Sequence, residues 1–306
     1  MNCETYHIPV LLEQTIEGLN IRPNGVYVDL TFGGGGHSRE IMKQLGKEGR
    51  LFGFDQDMDA MAGALQDERF CFVRSNFRFL KNWMMYYGIE QVDGILADLG
   101  VSSHHLDAAE RGFSFRYDAP LDMRMNQEGE TTAADIINNY SRAQLISLFK
   151  KYADVRTPNK VVDSIIKERE HKPITSTLEL AEIIAQATPG SLQRKHPAKV
   201  YFQALRIEVN KELDVLAKAL EKACKLLKPK GRLCVITFHS LEDRIVKNYF
   251  KELTEVKDLY GKQVPLRKMS KPEFKLVTRK PVVPTKQEME QNRRSHSAKL
   301  RVIEKM

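Results

Sequence analysis

Cysteine and tryptophan are scarce in this chain, with four of the first and one of the second among 306 residues. Cys3, Cys71, Cys224 and Cys234 form no C-x-x-C pair. That spacing argues against a disulfide scaffold or a zinc site, and fits reduced thiols in a cytoplasmic enzyme. No apolar run approaches the length of a bilayer span, so no transmembrane helix is expected. The opening residues, Met1-Asn-Cys-Glu-Thr-Tyr-His7, have neither a basic start nor an apolar stretch, and no secretory leader is expected. Internal repeats and low-complexity tracts are also missing. What is present is a globular composition, 42% hydrophobic and 29% charged, with length for about two domains.

The charge is unevenly placed. Of the net +8, residues 261–306 hold thirteen Lys and Arg against four Asp and Glu, while the preceding 260 residues are close to neutral. Such asymmetry points to an anionic partner. A membrane-surface helix would need an apolar face, and Arg267-Lys-Met-Ser-Lys-Pro272 offers none. Nucleic acid is therefore the expected partner, the alternative being a basic tail that only solubilises.

Strand and helix signals alternate over residues 26–99. Val26–Phe32, Arg50–Asp55, Phe70–Arg74 and Val92–Asp98 read as strands; Ser38–Leu45 and Asp59–Gln66 read as helices. This alternation predicts a parallel, doubly wound sheet. From Asp107 to Pro197 the strand signal stops. Capping boxes at Ser141–Gln144 and Ser176–Glu179, and Pro158 at a helix start, precede apolar residues at helical spacing such as Leu145, Leu148 and Phe149. The chain thus reads as an α/β domain over 1–106, an inserted all-helical domain of about four helices over 107–197, and a return to the α/β domain over 198–306. In that last part Leu213, Leu216, Leu220 and Leu227 stripe a helix ending at Pro229 and Gly231. Arg232–Phe238, Lys275–Thr278 and Ala298–Ile303 follow as strands, with a helix from Leu241 to Leu253.

The first strand runs into Gly33-Gly34-Gly35-Gly36. Glycines between a strand and a helix let backbone approach a ligand closely, beside the partial positive charge of the helix start. A dinucleotide fold would show G-x-G-x-x-G/A, but the third position is Ser38. The looser D-x-G-x-G-x-G of methyltransferases that use S-adenosylmethionine fits better. Asp29 is its acid, Thr31 stands in the first glycine's place, and Gly33 and Gly35 follow. The plain alternative is an ordinary tight turn. Asp55 ends the second strand, where an acid can accept hydrogen bonds from both ribose hydroxyls, or simply cap a helix. Asp55-Gln-Asp57-Met-Asp59 imitates a calcium loop, but Ala60 and Gln66 stand where the turn glycine and the bidentate glutamate must be, so no metal is expected. Asp98 ends the fourth strand, beyond which ligands of open α/β sheets bind.

Eight stretches spread along the chain carry a resemblance: His7–Leu12, Asp29–Ser38, Asp98–Ser103, Glu110–Phe115, Pro120–Met125, Phe202–Ile207, Phe238–Arg244 and Ser297–Arg301. Together they resemble the ribosomal RNA small subunit methyltransferase H family, which methylates the N4 amine of a cytidine in the decoding region of 16S rRNA in bacteria. The resemblance implies a Rossmann-like S-adenosylmethionine methyltransferase sheet with a helical insertion. It implies Gly35, Gly36 and His37 at the cofactor's methionine end, Asp55 on the ribose, Phe79 by the adenine, and Asp98 lining the methyl-donor site. His105, where the family usually has glutamine, falls at a cofactor contact; Val200 and Arg293 replace the family's usual arginine and proline. Each residue has a plainer reading: His37 as a helix cap, Phe79 as core, His239-Ser240 as pocket lining with no G-x-S-x-G elbow around it.

Methylating a cytosine amine requires the base to be extruded or single-stranded. Arg111-Gly-Phe-Ser-Phe-Arg-Tyr117 interleaves cations with rings, either to stack bases or to anchor a loop in the core. Asp98 is the candidate proton acceptor. The competing functions are an NAD-dependent oxidoreductase on a similar sheet and a non-catalytic RNA-binding assembly factor.

Overall fold

Each β-rich run at the front of the chain forms a strand in the computed structural model, which describes residues 9–101, 107–188, 190, 196–255 and 272–306. These are β1 (Val26–Asp29), β2 (Arg50–Asp55), β3 (Phe70–Arg74) and β4 (Val92–Asp98), joined by β5 (Leu227–Thr237), β6 (Phe274–Leu276) and β7 (Lys299–Lys305). The sheet order is β3-β2-β1-β4-β5-β7-β6. The first five strands in that order are parallel; β7 runs antiparallel to β5 and β6. This is the doubly wound, Rossmann-like sheet. Succession from β1 moves one way to β2 and β3, then reverses at β4, so the topological switch point lies between β1 and β4. Open α/β sheets bind ligands beyond the strand ends at that crevice.

Strand side chains alternate between two cores. Val28, Phe52, Ile95 and Val235 face one; Tyr27, Leu51, Leu96 and Cys234 face the other. Period-2 alternation with both faces apolar is what a sheet covered on both sides requires. Helices α1 (Leu12–Leu19) and α2 (Gly36–Gln44) cover the second face through Leu19, Ile41 and Met42. The first face is covered through α3 (Leu80–Tyr86), a helix the apolar periodicity does not announce, which contributes Leu80 and Met84.

The chain divides into two units, Met1–Gly100 with Leu213–Met306, and Val101–Glu212. The described residues of the second unit include the α-helices α4 (Ala133–Asn139), α5 (Arg142–Tyr152), α6 (Asn159–His171), α7 (Thr177–Ala187) and α8 (Ala198–Asn210). Ser141 and Gln144 close the expected capping box on α5. On α7, Ser176 caps the Glu179 amide, but the Glu179 carboxylate turns to the Thr175 N–H instead. Phe149, fully buried on α5, meets Tyr201 of α8 edge-on at 4.8 Å. The first unit then resumes with α9 (Glu212–Leu226), α10 (Ser240–Thr254) and α11 (Lys286–Gln291). Leu216 and Leu220 of α9 and Val246 and Phe250 of α10 complete the first core.

Two local expectations change. Residues 59–66 form no α-helix; Met58–Gly63 makes a 3-10 turn with none of its residues buried, so it has no apolar face to hold a longer helix. Helix α9 stops at Leu226 rather than at Pro229, and β5 begins at once. Residues 228–231 bulge out between the Val92–Leu227 and Gly94–Arg232 pairings, with Lys230 at φ 67°. Cys71, Cys224 and Cys234 are free thiols. No helix among the described residues is long and apolar enough to cross a membrane.

Candidate active site at the sheet switch point

Beyond β1 the backbone turns sharply through the glycines. The Gly35 N–H donates to the Phe32 carbonyl at 2.7 Å, and Gly35 adopts φ 72°, a conformation that strains any residue with a Cβ. Gly36 then opens α2, where a Cβ would lie 2.3 Å from Pro9 Cγ. Gly34 differs, since a Cβ there would meet nothing within 4 Å. The bend therefore has one side packed on its own chain and one side open.

Asp55, half-buried at the end of β2, faces this bend. One carboxylate oxygen accepts from the Gly33 N–H at 2.8 Å and the other from the Asp57 N–H at 2.9 Å. Asp57, only 3% exposed, in turn caps the 3-10 turn through the Asp59 N–H. The Asp55-Gln-Asp57 spacing that imitates a calcium loop thus serves to orient Asp55. Nearby, Asn76 at the end of β3 donates to Gln56 Oε1 at 2.8 Å and caps the turn carrying Phe79. Phe79 is not core: its ring is 41% exposed, with the Arg78 guanidinium 4.5 Å above it.

Asp29 lies at the closed end of the crevice. It accepts from Ser38 Oγ at 2.7 Å and from the Thr31 N–H at 3.1 Å. Burial pushes its pKa up to about 6; the Ser38 and Thr31 bonds oppose this and the Asp55 charge adds to it. Thr31, in the place of the motif's first glycine, has a use of its own. Its hydroxyl accepts the Asp98 backbone N–H at 2.7 Å, tying the end of β4 to the bend after β1.

Asp98 thus stands at the switch point itself. Its Oδ2 lies 3.6 Å from His37 Nδ1. Its Oδ1 is covered and has no hydrogen-bond partner among the described residues. Burial holds its pKa well above the carboxylate range, and the charges of Asp29 and Glu242 raise it further. His37 is 6% exposed, in the first turn of α2, with Nε2 on the Val10 carbonyl at 3.0 Å. A carbonyl only accepts, so Nε2 carries a proton; in the neutral ring the Nδ1 lone pair then faces Asp98.

Glu242 is the residue that motif reading passes over. It sits two residues into α10, 2% exposed, accepting from the Phe238 N–H at 2.8 Å and the His239 N–H at 3.3 Å. His239 and Glu242 close a capping box on α10, where the sequence reading placed only a helix from Leu241 and pocket lining at His239-Ser240, and the Glu242 charge acts on Asp98. Gly35, Gly36, His37, Asp55 and Asp98 therefore surround one crevice, with Phe79 following the turn that Asn76 links to Gln56. His105 lies outside the described residues. The 111–117 ring cluster, in the second unit, is largely internal. Phe113 is buried, Phe115 packs on His196 and Phe202 at 4.6 and 5.0 Å, and the Arg111 guanidinium bonds the Arg124 and Met125 carbonyls. Tyr117 remains 57% exposed.

A family model described as the MraW methylase family matches residues 4–306. The chain belongs to that family. Ribosomal RNA small subunit methyltransferase H of Bacteroides thetaiotaomicron is 52% identical over 306 residues, 98% of each chain. The protein of the same name from Carboxydothermus hydrogenoformans is 50% identical over 310 residues, 99% of each. A solved rRNA methylase from Streptococcus thermophilus aligns over 98% of this chain and 99% of its own, with 11% identity and a TM-score of 0.43.

Proposed function

We propose that this methylase uses S-adenosylmethionine to methylate the N4 amine of a cytidine in the decoding region of 16S rRNA, within the small ribosomal subunit. The observation that carries the reading is the buried Asp98 oxygen without a donor, placed beside an open glycine bend at the switch point. A carboxylate in that position calls for a cation. Asp29, Asp55 and Glu242 add negative charge around it. Such a crevice repels the pyrophosphate of NAD and suits a sulfonium, which counts against the oxidoreductase. The names of the relatives support the rRNA substrate, and the resemblance supports the cytidine N4 position.

The residues fit that cofactor part by part. Asp55 is oriented to take ribose hydroxyls, Phe79 offers an exposed ring to the adenine, and Gly35, Gly36 and His37 line the methionine end. Bound there, the cofactor supplies a methyl group on a positively charged sulfur. The protein's task is alignment of a weakly nucleophilic amine with that methyl group, mainly an orientation effect. Asp98 is positioned to accept a hydrogen bond and then the proton from the amine, help worth about 10²–10⁴-fold in rate. The basic region beyond residue 260 supplies phosphate contacts, which makes RNA affinity fall steeply with salt.

Transfer of labelled methyl groups to small ribosomal subunits, followed by mass mapping of the modified cytidine, tests the reading. Label on a cytidine N4 supports it; absence of label with intact cofactor binding returns the chain to a non-catalytic RNA-binding role. D98N is expected to lose about 10²–10⁴-fold in rate with donor bound. A wild-type rate with normal binding would remove Asp98 from catalysis.

A further inference from the structure

Three carboxyl groups face one another at the switch point, and they are not equivalently supplied with donors. Asp29, from the end of β1, has the Ser38 hydroxyl and the Thr31 N–H. Glu242, from α10, has the Phe238 and His239 N–H groups, with the His239 imidazole Nε2 3.0 Å from its other oxygen. Asp98, from the end of β4, has no donor on its covered Oδ1, and its Oδ2 faces His37. The Nε2 of His37 is committed to the Val10 carbonyl, so neutral His37 presents an acceptor there and not a donor. Asp55 adds its charge behind Asp29. Two carboxylates with N–H donors keep their charge most easily. The third, with none and with two anions facing it, is relieved by taking a proton.

We infer that Asp98 holds a proton directed at His37 Nδ1 before the methyl donor binds, releases it to solvent when the cationic donor arrives, and regains one from the cytidine amine at methyl transfer. This rests on the reading of the site as a sulfonium pocket and goes beyond it by assigning the proton. The balance closes. The carbon–sulfur bond breaks as the carbon–nitrogen bond forms, sulfur keeps the electron pair, and the N–H proton goes to Asp98. Asp98 is then neutral beside a neutral thioether, the same pairing of charges as before binding. His37 acts as a positioning residue that receives the Asp98 hydroxyl; the 3.6 Å separation closes to a hydrogen bond by a small rotation of the carboxyl group. The consequence is specificity. Asp98 is anionic only while the pocket holds a cation, so the site favours the donor over its own product.

Calorimetry on the full chain tests this without any turnover. S-adenosylmethionine and S-adenosylhomocysteine are each titrated in two buffers of different ionisation enthalpy, between pH 5.5 and 7. That window lies below the titration of the α-amine both ligands carry, near about 7.7–8.0. The donor is expected to release more protons per site than the product, and its affinity to rise more steeply with pH, over and above the titration of Asp29 near about 6. D98N is expected to abolish this excess release and bring the donor's profile to that of the product. Equal proton counts for the two wild-type ligands would overturn the inference and leave the cofactor assignment standing. Failure of both ligands to bind would instead overturn the cofactor assignment, and this inference with it.

Discussion

Replacing Asp29 by asparagine should stabilise the first unit at neutral pH, although the side chain lies inside a turn of hydrogen bonds. The carboxyl is 1% exposed and its pKa rises from 3.8 to about 6 on folding. At 1.36 kcal/mol per unit, its ionisation costs the fold about 3 kcal/mol once complete. The sign follows from proton counts. The native state holds this proton more tightly than the unfolded chain, so stability falls as pH rises from about 4 to about 6. Below that window both states are neutral and no cost is felt; above it the full cost persists. Asparagine keeps an oxygen for the Thr31 N–H and presents an NH₂ to Ser38 Oγ, while weakening charge-assisted bonds by about 1–2 kcal/mol. A net gain of about 1–2 kcal/mol at pH 8 is expected, vanishing near pH 4. Urea titrations across this range read it through Trp83, the single tryptophan, which lies in the same unit stacked on Tyr87. A variant less stable than wild type at pH 8, or one whose stability falls between pH 4 and 6 in parallel with wild type, would refute the account. A gain would show that this unit gives up stability to keep a buried charge at its site.

Other substitutions separate packing from ligand contact. Gly36→Ala drives a Cβ to 2.3 Å from Pro9 and should destabilise the first unit by about 1–3 kcal/mol in urea; a change under about 0.5 kcal/mol would show that Pro9 yields freely. Phe79→Ala should leave stability within about 0.5 kcal/mol yet weaken S-adenosylhomocysteine binding by about 1–3 kcal/mol, the worth of a base stacked on a ring, read by calorimetry. Phe149→Ala should cost the helical unit about 3–5 kcal/mol by emptying a fully buried site against Tyr201, visible as an early loss of helical circular dichroism in urea.

Local chemistry was legible along the chain. Short β-rich apolar runs marked β1 to β4 because this sheet is covered on both sides, so both faces of each strand are apolar. The glycines marked the bend because Gly35 needs a positive φ and Gly36 a missing Cβ. Asp55 and Asp98 were found because strand ends are countable. The Ser141 capping box was read correctly because both partners lie within one turn. Residues 59–66 were misread as a helix for the converse reason. Their composition favours one, but no neighbouring surface covers it.

What only the tertiary structure decided is which side chains meet and what water they keep. Asp29, Asp98 and Glu242 lie in separate parts of the sequence, yet each charge acts on the next across β1, β4 and α10. No spacing rule could show that the Asp98 oxygen lacks a donor, that Phe79 is exposed, or that Phe115 is spent on His196 and Phe202. Helix, strand and turn follow from residues a few positions apart. Desolvation and Coulomb coupling depend on neighbours in space, and those exist only once the strands are laid side by side.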